Sequence, residues 1–292
     1  MSKKDLLRPA LHADVYQTIS AESAGWEFLN FQARRLKKGE VYEGNTGDFE
    51  YCIVLLGGNF IVESEGRTWE SVNGRKDVFH GIGHAMYLSR RVDFVLTATD
   101  DHTDIAVCWV KTDEDHPSHM RRPEDAPIEL RGGDNANRQI NGLLPPGSDC
   151  HRIVCVEVYT PSGNWSSFPA HKHDVRTMDA GGNLIEADLE EIYFYKIDKP
   201  QGYAIQQVYT ADRSIDEVIR VKDSEAVLVP EGYHPVVAGH GYHVYYLNFL
   251  AGSDQSLANT SDPDHEWIYG TWKGQDARLP LVTSEMNQPQ SY

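Results

Sequence analysis

Apolar residues along this chain come in short runs of β-branched and aromatic side chains, each cut off by Gly, Pro, Asn or Asp. Residues 51–56, 60–62, 93–98 and 105–110 form one set, and residues 152–159, 191–195, 203–209, 226–229 and 244–249 a second. Runs this short, bounded by turn residues, predict strands of an all-β sandwich or barrel. No long stretch carries a helical period. A helix is expected only in short form, near residues 214–219 or in the tail. The two sets also read as distant repeats. A strand opening at Glu50 is followed by Gly57-Gly58, and one opening at Glu191 by Pro200-Gln201-Gly202. Each half then reaches an apolar strand ending in a loop, over residues 85–91 and 227–234. Two tandem barrels follow, over residues 1–130 and 131–292. The Pro- and Gly-punctuated stretch from His116 to Arg138 reads as their connection, and the residues after Gly274 as a polar, mobile tail.

The composition, 40% hydrophobic and 24% charged over 292 residues, is that of an ordinary globular chain long enough to bury its core unaided. A metal would therefore serve chemistry rather than hold the fold. The formal net charge of −17 changes the picture more. It repels phosphate backbones and anionic lipid, which argues against nucleic-acid and membrane partners. It also means that an acidic small substrate needs a local basic pocket. No run is long and apolar enough to span a bilayer, and the segment opening Met1-Ser2-Lys3-Lys4 lacks the apolar stretch of a secretory leader, so a cytoplasmic location is expected. Cys52, Cys108, Cys150 and Cys155 are scattered without a C-x-x-C pair and read as reduced thiols.

The candidate chemistry starts at Pro169-Ala170-His171-Lys172-His173-Asp174. Residues two apart on an extended strand share a face, so His171 and His173 can aim at one ion. An isolated H-x-H is more often a pair of surface or hydrogen-bonded histidines, but two further features change the weighing. Glu191 opens a β run on the same face as Tyr193 and Tyr195, and His234 follows Pro230-Glu231-Gly232-Tyr233 at the end of a later strand, where Gly232 permits a tight turn. Glu190 competes with Glu191, since a one-residue slip exchanges them; Glu191 is preferred because its parity puts Ile192 and Phe194 on the opposite side. Three imidazoles and a carboxylate suit a divalent zinc, manganese, iron, nickel or cobalt ion, zinc slightly ahead, and open positions on the ion would mark a catalytic site.

These motifs resemble a family. His171-x-His173, a following glutamate and a late Pro-x-Gly-x-His look like the two motifs of a cupin. The segment from Tyr159-Thr160-Pro161-Ser162-Gly163-Asn164-Trp165 through His173-Asp174 looks more specifically like the 5-deoxy-glucuronate isomerases of myo-inositol catabolism. So do Leu189-Glu190-Glu191-Ile192-Tyr193-Phe194-Tyr195, Val229-Pro230-Glu231-Gly232-Tyr233-His234, Tyr245-Tyr246-Leu247-Asn248 and Asp262-Pro263-Asp264-His265-Glu266-Trp267-Ile268. The resemblance covers about residues 25–270. It implies an all-β bicupin of two tandem jelly-roll barrels, the second holding a metal through His171, His173, Glu191 and His234. It implies an aldose–ketose isomerisation of a small sugar acid, 5-deoxy-glucuronate to 2-deoxy-5-keto-gluconate. A cation stabilises the enediolate on that path better than it stabilises the ground state.

Candidates for the proton transfer are Glu190 if it turns inward, Asp174, Tyr193, Tyr246 and a metal-bound hydroxide. Gln206 reads either as a partner for a substrate hydroxyl or a metal-bound water, or as a strand residue facing solvent. Lys172, Arg176 and Arg213 are candidates to meet the substrate carboxylate, each with a solvated surface charge as the competing reading. Gln207 stands where the resemblance leads us to expect a basic residue, and the long excursion over residues 175–188 suggests a loop over the pocket mouth. The first half lacks the ligands: Glu50 aligns with Glu191, no H-x-H precedes it, and His80 and His84 read as loop histidines, as do His240, His243 and His265. Exposed barrel edges make a homo-oligomer the expectation. The rival readings are a 5-keto-4-deoxyuronate isomerase, an iron-dependent cupin dioxygenase and a non-enzymatic sugar-binding bicupin.

Overall fold

A computed structural model describes residues 2–287. Strands dominate it; the helices are the four-residue Lys3–Leu6 and Ala21–Ala24 and three 3-10 turns. No helix among the described residues is long and apolar enough to cross a membrane. The chain divides into two compact units, each assembled from separated segments. Among the described residues, one comprises those up to Ala10, Ile128–Asn141 and Val156–Leu281; the other comprises Leu11–Pro127, Gly142–Cys155 and those from Val282 to Asn287.

The unit holding the second half has an eight-stranded sheet centred on the 14-residue strand Leu184–Ile197. That strand lies between Ala226–Val229 and Val244–Gly252, antiparallel to both. A four-stranded sheet of Trp165–Ser166, Val236–Ala238, Ala204–Tyr209 and Asp216–Val221 faces it. Alternate residues fill the space between: Tyr193, Tyr195 and Tyr246 from the first sheet meet Val208, Ile219 and Val236 from the second. This is the period of two that the sequence carries, turned into a barrel interior.

The other unit repeats the plan. Phe49–Gly57 lies between Ala85–Leu88 and Thr103–Lys111, and a second sheet of Val41–Asn45, Asp93–Ala98, Phe60–Ser64 and Arg67–Glu70 completes its core. Ile53, Leu55, Phe94, Leu96, Ile105 and Val107 pack there. The register corrects the expected alignment of Glu50 with Glu191. Glu191 pairs with Val229 and Tyr51 with Leu88, each the last residue of the flanking strand. Tyr51 therefore holds the inward position, and Glu50 faces the other side of the sheet. Its fully buried carboxylate accepts the backbone N–H groups of His151 (2.8 Å), Arg152 (2.7 Å) and Ile153 (3.0 Å) and the Tyr87 hydroxyl (3.0 Å).

Other local expectations change as well. The helix expected near residues 214–219 is instead the strand Asp216–Val221, because pairing with Ala204–Tyr209 buries Ile219 and Val221. The excursion over residues 175–188 is a hairpin of Asp174–Met178 against Leu184–Ile197, closed by a turn in which Asp179 accepts the N–H groups of Gly181 and Asn183. The stretch from His116 to Arg138 contains the strands His119–Arg121 and Ile128–Gly133. The tail is anchored through Asn287: Leu281 N–H donates to Gln139 at 2.7 Å, and Asn287 accepts from Ile82 N–H at 3.0 Å. The last part of the expected tail, residues 288–292, lies outside the described residues.

Candidate metal centre and cavity

His171 and Lys172 form a two-residue strand against Thr260–Ser261, and His173 follows in extended chain. Lys172 points away from the histidines and donates to Asp174 (2.6 Å) and Glu186 (2.7 Å). Asp174 in turn accepts the Gly232 N–H at 2.8 Å, tying the H-x-H segment to the turn that carries His234. Gly232 has φ +88°, and a Cβ there would lie 2.5 Å from the Tyr209 carbonyl oxygen, so only glycine fits without a shift. Two backbone bonds between Tyr209 and Tyr233, 2.9 and 2.8 Å, clamp the same turn.

Three predicted side chains converge. The ligating atoms of His173, Glu191 and His234 all lie within 4.8 Å of one another, and all three residues are buried. The Nδ1 of His173 is 3.2 Å from the Leu189 carbonyl, and that of His234 is 2.8 Å from the Gly232 carbonyl. A carbonyl only accepts, so each Nδ1 carries the proton and each neutral ring keeps its lone pair on Nε2. Both Nε2 atoms face the same Glu191 oxygen, at 2.9 and 3.3 Å. The His234 Nε2 is buried without a hydrogen bond. Lone pairs and a carboxylate oxygen aimed at one point repel unless a proton or a cation lies among them. The residues thus fit a divalent metal, with the two carbonyls fixing ring orientation as outer partners do. Burial pushes the Glu191 carboxyl up, but the contacts with His173 and His234 outweigh it and bring it down to about 2. Burial likewise opposes charge on His173, and the Glu191 carboxylate outweighs it and raises the imidazole.

His171 stands beside this trio rather than in it. Its ring is 4.9 Å from that of His234 and 6.3 Å from that of His173, and it is partly exposed. Desolvation first, then the charges of His234 and Arg138, hold its pKa well below the ordinary value. It forms the wall between an outer cavity of about 270 Å³ and an inner recess of about 50 Å³ that reaches His173, Glu191 and Tyr193. Arg131, Arg138, Ser167 and Asn259 line both.

A layer of hydroxyls backs the recess. The Tyr193 ring is 5.8 Å from His234 and 4.8 Å from Tyr246. Ser167 Oγ lies 3.3 Å from the Tyr193 hydroxyl and 3.4 Å from that of Tyr246, while Ser166 bonds Tyr246 closely. Neighbouring strand residues ordinarily point apart; the left-handed backbone of Ser167, φ 50°, lets both serines reach the same phenol. Gln206 is fully buried, not solvent-facing, and accepts from the Tyr195 hydroxyl at 2.8 Å. Glu190 falls on the face of its strand opposite Glu191, away from the histidines.

The expected carboxylate receptors are all engaged elsewhere. Lys172 is held as described, Arg176 pairs with Asp254 at 2.9 Å, and Arg213 pairs with Asp216 at 3.3 Å. His80 bonds Asp77, His243 accepts from Ser162 N–H, and His265 is partly exposed outside the trio. The residues that sequence reasoning missed are Arg131, Arg138 and Ser167. The available signal was a hairpin: alternating residues 128–131 and 136–140 flank the turn residues Gly132-Gly133-Asp134-Asn135.

Comparisons with known proteins agree with this architecture. A model of the KduI/IolB family matches residues 6–268. The chain is 39% identical over 251 residues to the 5-deoxy-glucuronate isomerase of Geobacillus thermodenitrificans (strain NG80-2), covering 86% of this chain and 89% of that protein. Among solved structures, an IolB-like protein from Salmonella typhimurium LT2 superposes with a TM-score of 0.85 at 34% identity, over 91% of this chain and 99% of that one. The oxalate decarboxylase from Bacillus subtilis superposes with a TM-score of 0.58 at 13% identity, over 89% of this chain and 77% of that one. The last likeness concerns the fold alone, which is the bicupin that the resemblance implied and the two tandem barrels that the repeats predicted.

Proposed function

The chain belongs to the KduI/IolB family, and from that premise we propose that it is a metal-dependent aldose–ketose isomerase converting 5-deoxy-glucuronate to 2-deoxy-5-keto-gluconate. His173, Glu191 and His234 would hold the ion, with His171 as the fourth ligand at the cavity side. When bound, a divalent ion would supply positive charge where negative charge grows on oxygen as the carbon-bound proton leaves. The observation that carries the reading is the convergence of two histidine lone pairs on the Glu191 carboxylate at the end of an open cavity.

The chain's own groups divide the remaining work. Burial, then the Glu191 charge, holds the Tyr193 phenol well above its ordinary pKa. Tyr193 therefore stays protonated and serves as a hydrogen-bond donor to a substrate oxygen, not as a base. Tyr246 and Ser167 orient that hydroxyl. Gln206 positions Tyr195 behind it and does not touch the cavity. Glu190 has no part in this reading because it faces away. The apolar walls of buried Tyr193 and Leu250 and partly buried Ile140 keep bulk water from the recess.

The test is an anaerobic assay for ketose formation from 5-deoxy-glucuronate, with 5-keto-4-deoxyuronate run beside it. We expect turnover without oxygen, loss on chelation, recovery with one of the zinc, manganese, iron, nickel or cobalt ions, and a fall of at least about 100-fold in His173→Ala. His173→Ala turning over at the parental rate would sink the reading. An oxygen requirement would point instead to the dioxygenase.

A further inference from the structure

Arg138 lies on the strand Ala136–Leu144 directly opposite Arg131 on Ile128–Gly133. Like charges placed opposite each other across a sheet destabilise it. The pair also sits in a chain of net charge −17, where a carboxylate would be an easy partner to supply. Arg131 has one: Glu129 takes it with both oxygens. Arg138 does not. Its hydrogen-bond partner among the described residues is the Ser167 hydroxyl at 2.7 Å, and Glu129, the carboxylate whose field reaches it, is occupied by Arg131. Arg138 is half-buried and lines both the outer cavity and the recess beside His171. A guanidinium has five N–H donors in a fixed fork that matches a carboxylate, and Ser167 uses one.

We infer that Arg138 is the specificity residue that receives the substrate's carboxylate, and that an anion between Arg138 and Arg131 relieves their mutual repulsion. The inference rests on the sugar-acid reading of the site and adds to it the residue that recognises the acid. It also supplies the local basic pocket that so acidic a chain needs to admit an anionic sugar. Ser167 joins the two ends of the site: it bonds Arg138 on one side and Tyr193 on the other. A carboxylate held at Arg138 thereby places the sugar along the path from the outer cavity to His173 and Glu191.

The test is calorimetric titration of the metal-loaded chain with 5-deoxy-glucuronate and with its uncharged methyl ester, for the parent, Arg138→Met and Arg138→Lys. The parent should prefer the acid. Arg138→Met should lose about 10- to 100-fold in affinity for the acid and less than about 2-fold for the ester, with Arg138→Lys between. KM should follow the acid affinity while kcat changes little. Equal losses for acid and ester would show a structural role and overturn the inference, as would an unchanged acid affinity in Arg138→Met or a parent that does not distinguish acid from ester. Turnover separates the two claims. A parent that binds the acid through Arg138 but forms no ketose sinks the isomerase reading and leaves this one standing. A parent that turns over while Arg138→Met is unimpaired sinks this one alone.

Discussion

A carbonyl oxygen can only accept a hydrogen bond, and that decides what His173 and His234 offer the site. The Leu189 and Gly232 carbonyls take both Nδ1 protons, so both Nε2 lone pairs face Glu191. In the other unit a single histidine shows the opposite environment. Burial, then the charges of Arg75 and Arg122, pushes His84 down to about 4 from an ordinary 6.5. The folded chain keeps His84 neutral where the unfolded chain would protonate it. Stability present above the unfolded value is therefore lost as pH falls toward the folded one, by roughly 3 kcal/mol in all. His84→Gln removes this dependence, so between about pH 7 and 4.5 its urea midpoint should fall less than the parent's. Equal slopes for the two proteins would refute the assignment.

At the scale of elements, the site depends on one strand register and one turn. The register of Leu184–Ile197 was legible: Glu191, Tyr193 and Tyr195 share a face, and a slip to Glu190 would turn Ile192 and Phe194 into the core's place and the tyrosines out of it. The turn before His234 was legible from Gly232. Gly232→Ala should destabilise the protein by about 1–3 kcal/mol and weaken metal retention by about 10- to 100-fold, read by thermal melting and by competition with a chelator. Gly241→Ala, also at positive φ but with open space around its Cβ, is the control and should leave metal retention alone. A Gly232→Ala protein that holds metal like the parent would remove the turn from the argument. The strand Asp216–Val221 was not legible, because Ile215, Val218 and Ile219 repeat at a helical spacing and only pairing with Ala204–Tyr209 selects extended chain.

At the scale of the molecule, each unit has its own core, and among the described residues the convergent histidine–carboxylate trio belongs to one of them. Ligand binding stabilises what it contacts. Chelation should therefore speed amide hydrogen exchange in Leu184–Ile197, Val236–Ala238 and the residues around His173, with Phe49–Gly57 and Thr103–Lys111 little changed. Uniform loss of protection in both cores, or none in either, would contradict a metal confined to this site. The net charge of −17 gives the cavity its contrast, because Arg138 is a positive group without a carboxylate partner among the described residues of a net-acidic chain.

The amino-acid sequence by itself determined the strand class and the doubled plan, and it offered His171, His173, Glu191 and His234 as candidate ligands, because a period of two and the parity of a strand are local properties. The tertiary structure decided which of those candidates meet, since the distances among His173, Glu191 and His234 depend on three segments brought together by the Asp174–Gly232 bond and the Leu189 contact. It also decided which cation is available to a substrate. Lys172, Arg176, Arg213 and Arg138 are alike in sequence, and only pairing in space shows that the first three are neutralised by Asp174, Asp254 and Asp216 while Arg138 meets no carboxylate among the described residues.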